Sequence, residues 1–222
     1  MAAEVVLEGL HPLKHALRFG ARVRRAVAPD PARVVALARE LAPDVADEIA
    51  ALVEHGDVRA PLDVVAWAWR PPERPLGEGF VVLLDEPRHL GNVGAAIRVA
   101  AAAGAAGVLV RGEADPWHPA AVRGAAGLQF ALPVARVVTL PGDRPLIALD
   151  PAGAPLDDVP PNAVLAFGAE RRGLSREIRA RADALLALPM RPGVSSLNLA
   201  TAVSAALYVL KAGRAGSSPG RR

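Results

Sequence analysis

LPMRPGVSSLNLATAVSAALY, residues Leu188 to Tyr208, runs from a turn through two serines and an asparagine into a helix of small residues. Ser and Asn compete with the backbone for hydrogen bonds, so SSLN is a poor helix interior and a good helix start. Ser195 or Ser196 is expected to cap the helix, with Asn198 in its first turn and Pro192 and Gly193 making the turn before it. A helix start presents unpaired backbone N–H groups and partial positive charge, which suits a carboxylate, a phosphate or a developing alkoxide. A well-capped structural helix has the same local features, so two further segments carry the decision.

The first is VVLLDEPRHLGNVGAAIRVAAAAGAAGVLV, Val81 to Val110. Val81 to Leu84 reads as a buried strand and Asp85 to Leu90 as a polar loop. Asn92 then stands at a helix start, and Gly94, Ala95, Ala101 and Ala102 lie three or four positions from Arg98. This spacing predicts a guanidinium projecting from a floor of small side chains, open to something bulky. Gly104 and Gly107 end the helix, and Val108 to Val110 form a second buried strand.

The second is AVLAFGAERRGLS, Ala163 to Ser175, a short apolar strand that runs straight into Gly168, Glu170 and Gly173. Glycine directly after a strand lets a ligand approach the backbone at the carboxyl end of a sheet, where open α/β folds bind.

Together and in this order the three segments resemble the motifs of the SpoU/TrmH branch of the SPOUT RNA methyltransferases. NxGxxxR falls on Asn92, Gly94 and Arg98, GxExxG on Gly168, Glu170 and Gly173, and PMxxxxxSLN on Pro189, Met190, Ser196, Leu197 and Asn198. The resemblance implies an α/β fold with a deep trefoil knot in a mostly parallel C-terminal sheet. It also implies S-adenosylmethionine as cofactor and an obligate homodimer.

The implied reaction is 2′-O-ribose methylation of structured RNA, ribosomal or transfer. A ribose hydroxyl is a very weak acid, so the pocket must orient it and stabilise the alkoxide as it forms. By resemblance the central group is Arg98. A guanidinium is too weakly acidic to serve as a base, so electrostatic stabilisation and phosphate clamping are its expected roles. Asn92, Asn198 and Ser196 are expected to position the hydroxyl or the arginine, and Glu170 to fix Arg98 or another loop group. Main-chain groups of Gly168, Leu188 and Leu197 are implied to hold the cofactor, adenine being readable by N–H and C=O groups between apolar side chains. Two other readings share the motifs: a catalytically silent knotted RNA-binding or ribosome-assembly protein, and a SPOUT enzyme that methylates a base.

The amino-terminal third, residues 1–69, is similar to the small α/β L30e-like domain that precedes the knot in many of these enzymes and helps hold RNA. Helices are expected over Glu8 to Ala21, Pro31 to Ala42 and Asp44 to His55, and a strand over Asp63 to Trp69. RPPERPLGEG, Arg70 to Gly79, carries three prolines and two glycines and reads as the linker. The methyltransferase domain is then 80–213, and GRAGSSPGRR closes the chain with a basic tail, 214–222, expected to be disordered.

Composition sets bounds. A chain of 222 residues, 52% hydrophobic, fills one medium core and one small one. It has no cysteine, so disulfides and thiolate metal sites are excluded and a cytoplasmic location is expected. No apolar stretch reads as a membrane span, and His11 and His15, one turn apart, have no third ligand, so neither membrane nor metal is expected. Arginine supplies almost all the base, since Lys14 and Lys211 are the only lysines, and its planar fork suits phosphate. GxxxxGK[ST] and GxGxxG are absent, which removes the P-loop and dinucleotide-fold readings.

Overall fold

The computed structural model describes residues 3–170 and 172–216. Its larger sheet is parallel throughout. The strands are β5 (Val81–Asp85), β6 (Gly107–Arg111), β7 (Val134–Val137), β8 (Leu146–Pro155), β9 (Val164–Gly168) and β10 (Ala184–Ala187), in the spatial order β10-β8-β9-β5-β6-β7. A parallel sheet is covered on both faces, so its central strands are apolar without interruption. VVLLD of β5 is buried at every position. Val82 and Leu84 join one core layer, while Val81 and Leu83 point to the other, as the two-residue period of a strand requires.

The first layer is built by helices α4 (Leu90–Ala103) and α7 (Leu199–Gly216), through Val93, Ile97, Ala100, Val203 and Leu207. The second is thinner and rests on Ile178 of helix α6 (Arg176–Arg181). Helix α7 carries the chain to Gly216, and the remainder of the expected disordered tail, 217–222, lies outside the described residues. The chain runs β5, β6, β7 outward, crosses to β8, then places β9 between β8 and β5. Strand order therefore reverses at β5 and β9, the position where open α/β sheets bind ligands.

The amino-terminal third contains more strand than expected. β1 (Glu4–Glu8), β4 (Val65–Trp69), β2 (Val23–Ala28) and β3 (Val53–His55) form a four-stranded sheet in that order. The helix expected from Glu8 to Ala21 covers only α1 (Leu10–Arg18), because Glu8 pairs with Val65 in the sheet. The second expected helix is α2 (Pro31–Leu41), capped by Asp30. Asp44 to His55 is not one helix but a 3₁₀ turn, α3 (Ala46–Leu52) and then β3, since Val53, Glu54 and His55 pair in parallel with β2. The core is shared between the two sheets: Leu7, Leu13, Val93 and Phe130 belong to one buried cluster.

Gly94 has a packing role. It is buried where α4 crosses α5 (Pro119–Gly124), and a Cβ there would stand 2.3 Å from the Ala121 carbonyl oxygen and 2.8 Å from Ala125 N. The floor of small residues expected around Arg98 is therefore partly a helix–helix contact. Gly94→Ala gains about 1 kcal/mol of helix propensity, but the clash is with backbone that cannot rotate away and costs about 1–3 kcal/mol or more. We expect net destabilisation, read as a lower denaturant midpoint at unchanged slope.

Candidate active site

Asp85 and Gly168 end β5 and β9, and Asp150, within β8, stands level with them. Asp85 pairs in register with Gly168, and Leu149, the residue before Asp150, pairs with Phe167. Asp85 is not in a loop, as its polarity suggests, but is the last residue of β5 and fully buried. A buried carboxylate requires partners. One oxygen accepts from Arg111 Nη1 at 2.7 Å and the other from the Ser175 backbone N–H at 2.7 Å. Arg111 also reaches Glu177, and Ser175 caps α6 by accepting from Ile178 N. This network ties down the far end of the loop that follows β9.

That loop folds back on itself. Ala169 N donates to the Gly173 carbonyl at 3.1 Å and Gly173 N to the Ala169 carbonyl at 2.9 Å, with Gly173 at φ 65°. The return strand passes so close that a Cβ on Gly168 would stand 2.0 Å from Gly173 C and 2.1 Å from Leu174 N. Glu170 is held at the tip of the turn.

From Glu170 a hydrogen-bonded relay crosses to the helix start. Asn92 Nδ2 donates to Glu170 Oε1 at 2.7 Å, Asn198 Nδ2 donates to Asn92 Oδ1 at 3.2 Å, and Asn198 Oδ1 accepts from Ala200 N at 3.0 Å and Thr201 N at 3.4 Å. A carboxylate only accepts, so it sets the orientation of the first amide, which sets the second, which leaves an oxygen for the helix. Asn198 is thus the cap of α7, in place of the expected Ser195 or Ser196, and both serines stand exposed before it. Burial pushes the Glu170 carboxyl up. The Asn92 hydrogen bond, the loop backbone and nearby His89 outweigh that effect and hold it below its ordinary value. The group is an ionised anchor at neutral pH, and it fixes Asn92, not Arg98.

Beside the relay is a cavity of about 330 Å³, within the range of small-ligand sites. Phe167, Leu188, Leu199 and Ala202 give it apolar walls, and Gly168, Glu170, Ser196 and Leu197 line it as well. Such a space takes a flat apolar ring whose polar edge is met by main-chain groups. Sequence reasoning missed three charged groups here: Asp150, which forms an ion pair with Arg179, and Arg172. Asp85 and Asp150 share a legible signal, an aspartate closing an apolar run, VVLLD and LIALD.

Arg98 is not among the residues lining this cavity. It is exposed on α4 and lies toward α1, where burial first, then the charges of Lys14 and Arg98, hold the His11 imidazole below its ordinary value. It stands six positions after Asn92 on the helix, which places it about 9 Å along the axis and about 120° around it. The structure therefore brings together Asn92, Gly168, Glu170, Leu188, Ser196, Leu197 and Asn198, and leaves Arg98 outside that group.

A family model described as the SpoU rRNA Methylase family matches residues 79–208, more than half of the chain. The 23S rRNA (uridine(2479)-2′-O)-methyltransferase of Streptomyces viridochromogenes is 34% identical over 236 residues, covering 93% of this chain and 82% of that protein. The 23S rRNA (guanosine(2553)-2′-O)-methyltransferase of Bacillus subtilis (strain 168) is 27% identical over 223 residues, covering 93% and 88%. Among solved structures, the SpoU methyltransferase AviRb from Streptomyces viridochromogenes in complex with AdoMet superposes with a TM-score of 0.77 at 31% identity, covering 98% of this chain and 92% of that one.

Proposed function

The chain belongs to the SpoU rRNA methylase family, and from that membership we propose how its own residues carry out the reaction. It is an S-adenosylmethionine-dependent RNA 2′-O-methyltransferase acting on ribosomal or transfer RNA. The observation that carries this reading is the cavity at the reversal of strand order, bounded by Gly168, Leu188 and Leu197 and braced by the Glu170–Asn92–Asn198 relay. Its apolar walls and close-approach glycine fit an adenosine held by main-chain groups. Bound there, the cofactor supplies an electrophilic methyl group on a sulfonium.

Gly168, Leu188 and Leu197 hold the cofactor. Asn92 and Asn198, each with one amide N–H beyond the relay, and the exposed Ser196 hydroxyl orient the ribose hydroxyl and the adjoining phosphate. Arg98 stabilises the alkoxide and clamps phosphate. Its direction on α4 supports a homodimer in which it serves the cavity of the partner copy. Exposed Val194, Leu197, Tyr208 and Val209, beside the mouth and along α7, supply apolar surface for that contact. We read the path of the chain through β9, β10 and α7 as the trefoil knot, and 1–69 as an L30e-like RNA-holding unit. Among the described residues no helix is long and apolar enough to cross a membrane and no group of three or more potential ligands is placed to hold a metal. A cytoplasmic site of action on RNA accords with this reading.

Calorimetric titration with S-adenosylmethionine should give heat at a stoichiometry of one per chain. Ribosomal RNA methylated by the protein should yield an alkali-resistant dinucleotide, the mark of a 2′-O-methyl group. No heat favours the silent RNA-binding protein, and methylation without alkali resistance favours a base methyltransferase.

A further inference from the structure

A second cavity, of about 460 Å³, opens between the turn after α1, the segment that follows β4 and the 3₁₀ turn at Phe130. Phe19, Trp69 and Phe130 line it, together with Arg22, Arg70 and Arg74, and no carboxylate does. Phe19 ends α1 and is 48% exposed, although it is among the most costly residues to leave in water. Arg74 is set in place by backbone carbonyls, donating to Phe130 O at 3.1 Å and to Leu132 O. The guanidinium is thus fixed beforehand and retains its charge.

The cavity continues onto the outer face of the sheet. Along β4, Ala66 and Ala68 enter the core while Trp67 and Trp69 face outward. Arg25 covers Trp67 at 4.2 Å from the ring centroid and Arg24 covers Trp69 at 4.6 Å, with Arg24 also paired to Glu4. Guanidinium planes laid on indoles are stacking platforms for nucleobases, and unpaired RNA bases are read by stacking on aromatic and arginine planes.

We propose that this cavity holds one unpaired nucleotide of the RNA substrate, its base between Phe19 and Trp69 and its phosphates toward Arg22 and Arg70. The strand then continues over the Arg24/Trp69 and Arg25/Trp67 platforms. The inference rests on the RNA methyltransferase reading and adds a recognition site away from the reacting ribose, selective for single-stranded over duplex RNA. A protein loop fits less well, because three arginines gathered without a carboxylate call for a polyanion.

Tryptophan fluorescence of the full chain titrated with hexaadenylate, hexauridylate and a six-base-pair RNA duplex tests it. The single strands should quench, with an affinity that falls steeply with salt, and the duplex should compete poorly. Phe19→Ala combined with Arg22→Glu, both exposed positions, should weaken single-strand binding at least tenfold. Affinity for S-adenosylmethionine, measured by calorimetry on the same preparations, should not change. Equal binding by the double variant, or equal competition by duplex, overturns the proposal. Absence of quenching by any oligonucleotide overturns it as well and assigns the face to a protein partner. Failure of the methyltransferase reading would instead appear as no heat with S-adenosylmethionine in the unaltered protein.

Discussion

Arg98→Ala is expected to lower methyl transfer by about 10²–10³-fold or more, the usual effect of removing one preorganised stabiliser of a developing oxyanion. Binding of S-adenosylmethionine should be nearly unchanged, because Arg98 does not line the cavity that would hold it. Single-turnover rates on ribosomal RNA, with calorimetry as the control, separate the two effects. The roughly 120° between Asn92 and Arg98 around α4 also predicts which copy is served. A mixed dimer of Arg98→Ala and Asn198→Ala chains keeps one intact site if arginine crosses to the partner, and none if it acts within its own chain. Recovery of activity on mixing two inactive variants is the expected result. Should Arg98→Ala alone retain full turnover, the charge-stabilising role passes to Arg172, one of the two arginines that line the cavity.

Gly168→Ala is the second large effect. A single methyl would stand 2.0 to 2.4 Å from the backbone of Gly173 and Leu174, and these atoms cannot move without opening the two bonds between Ala169 and Gly173. The loop must then leave the wall of the cavity. We expect cofactor affinity to fall by at least two orders of magnitude, with a stability loss of about 1–3 kcal/mol from overpacking. Calorimetry and denaturant unfolding measure the two separately. Unchanged cofactor affinity would show that the loop is not part of the binding wall.

Much of the site was legible because its residues break local rules. Val81 to Leu84 and Val164 to Phe167 read as buried strands from their unbroken apolar runs, and glycine after the second marked close approach. Ser195, Ser196 and Asn198 are all good caps, and only the bond that Asn198 donates to Asn92, far away in sequence, decides for Asn198. The strands at Val23 to Ala28 and Val53 to His55 are short and obtain their hydrogen bonds from distant partners, so no local period announces them. Asp85 reads as loop polarity in the sequence because its partners, Arg111 and the Ser175 amide, come from two later segments. For Arg98 the helix could be read from sequence, whereas the direction of its face could not, since that depends on which side of α4 meets α5 and α7.

The relay joins positions 78 and 106 residues apart along the chain. Its last member, Asn198, follows every strand of both sheets along the chain. A nascent chain that has completed every strand of both sheets still lacks the oxygen that caps α7 and the amide that joins this cap to Asn92. On the proposed reading, competence to methylate is therefore acquired only after Asn198 has joined the folded sheets, and a nascent chain that stops short of it has no assembled pocket with which to modify RNA.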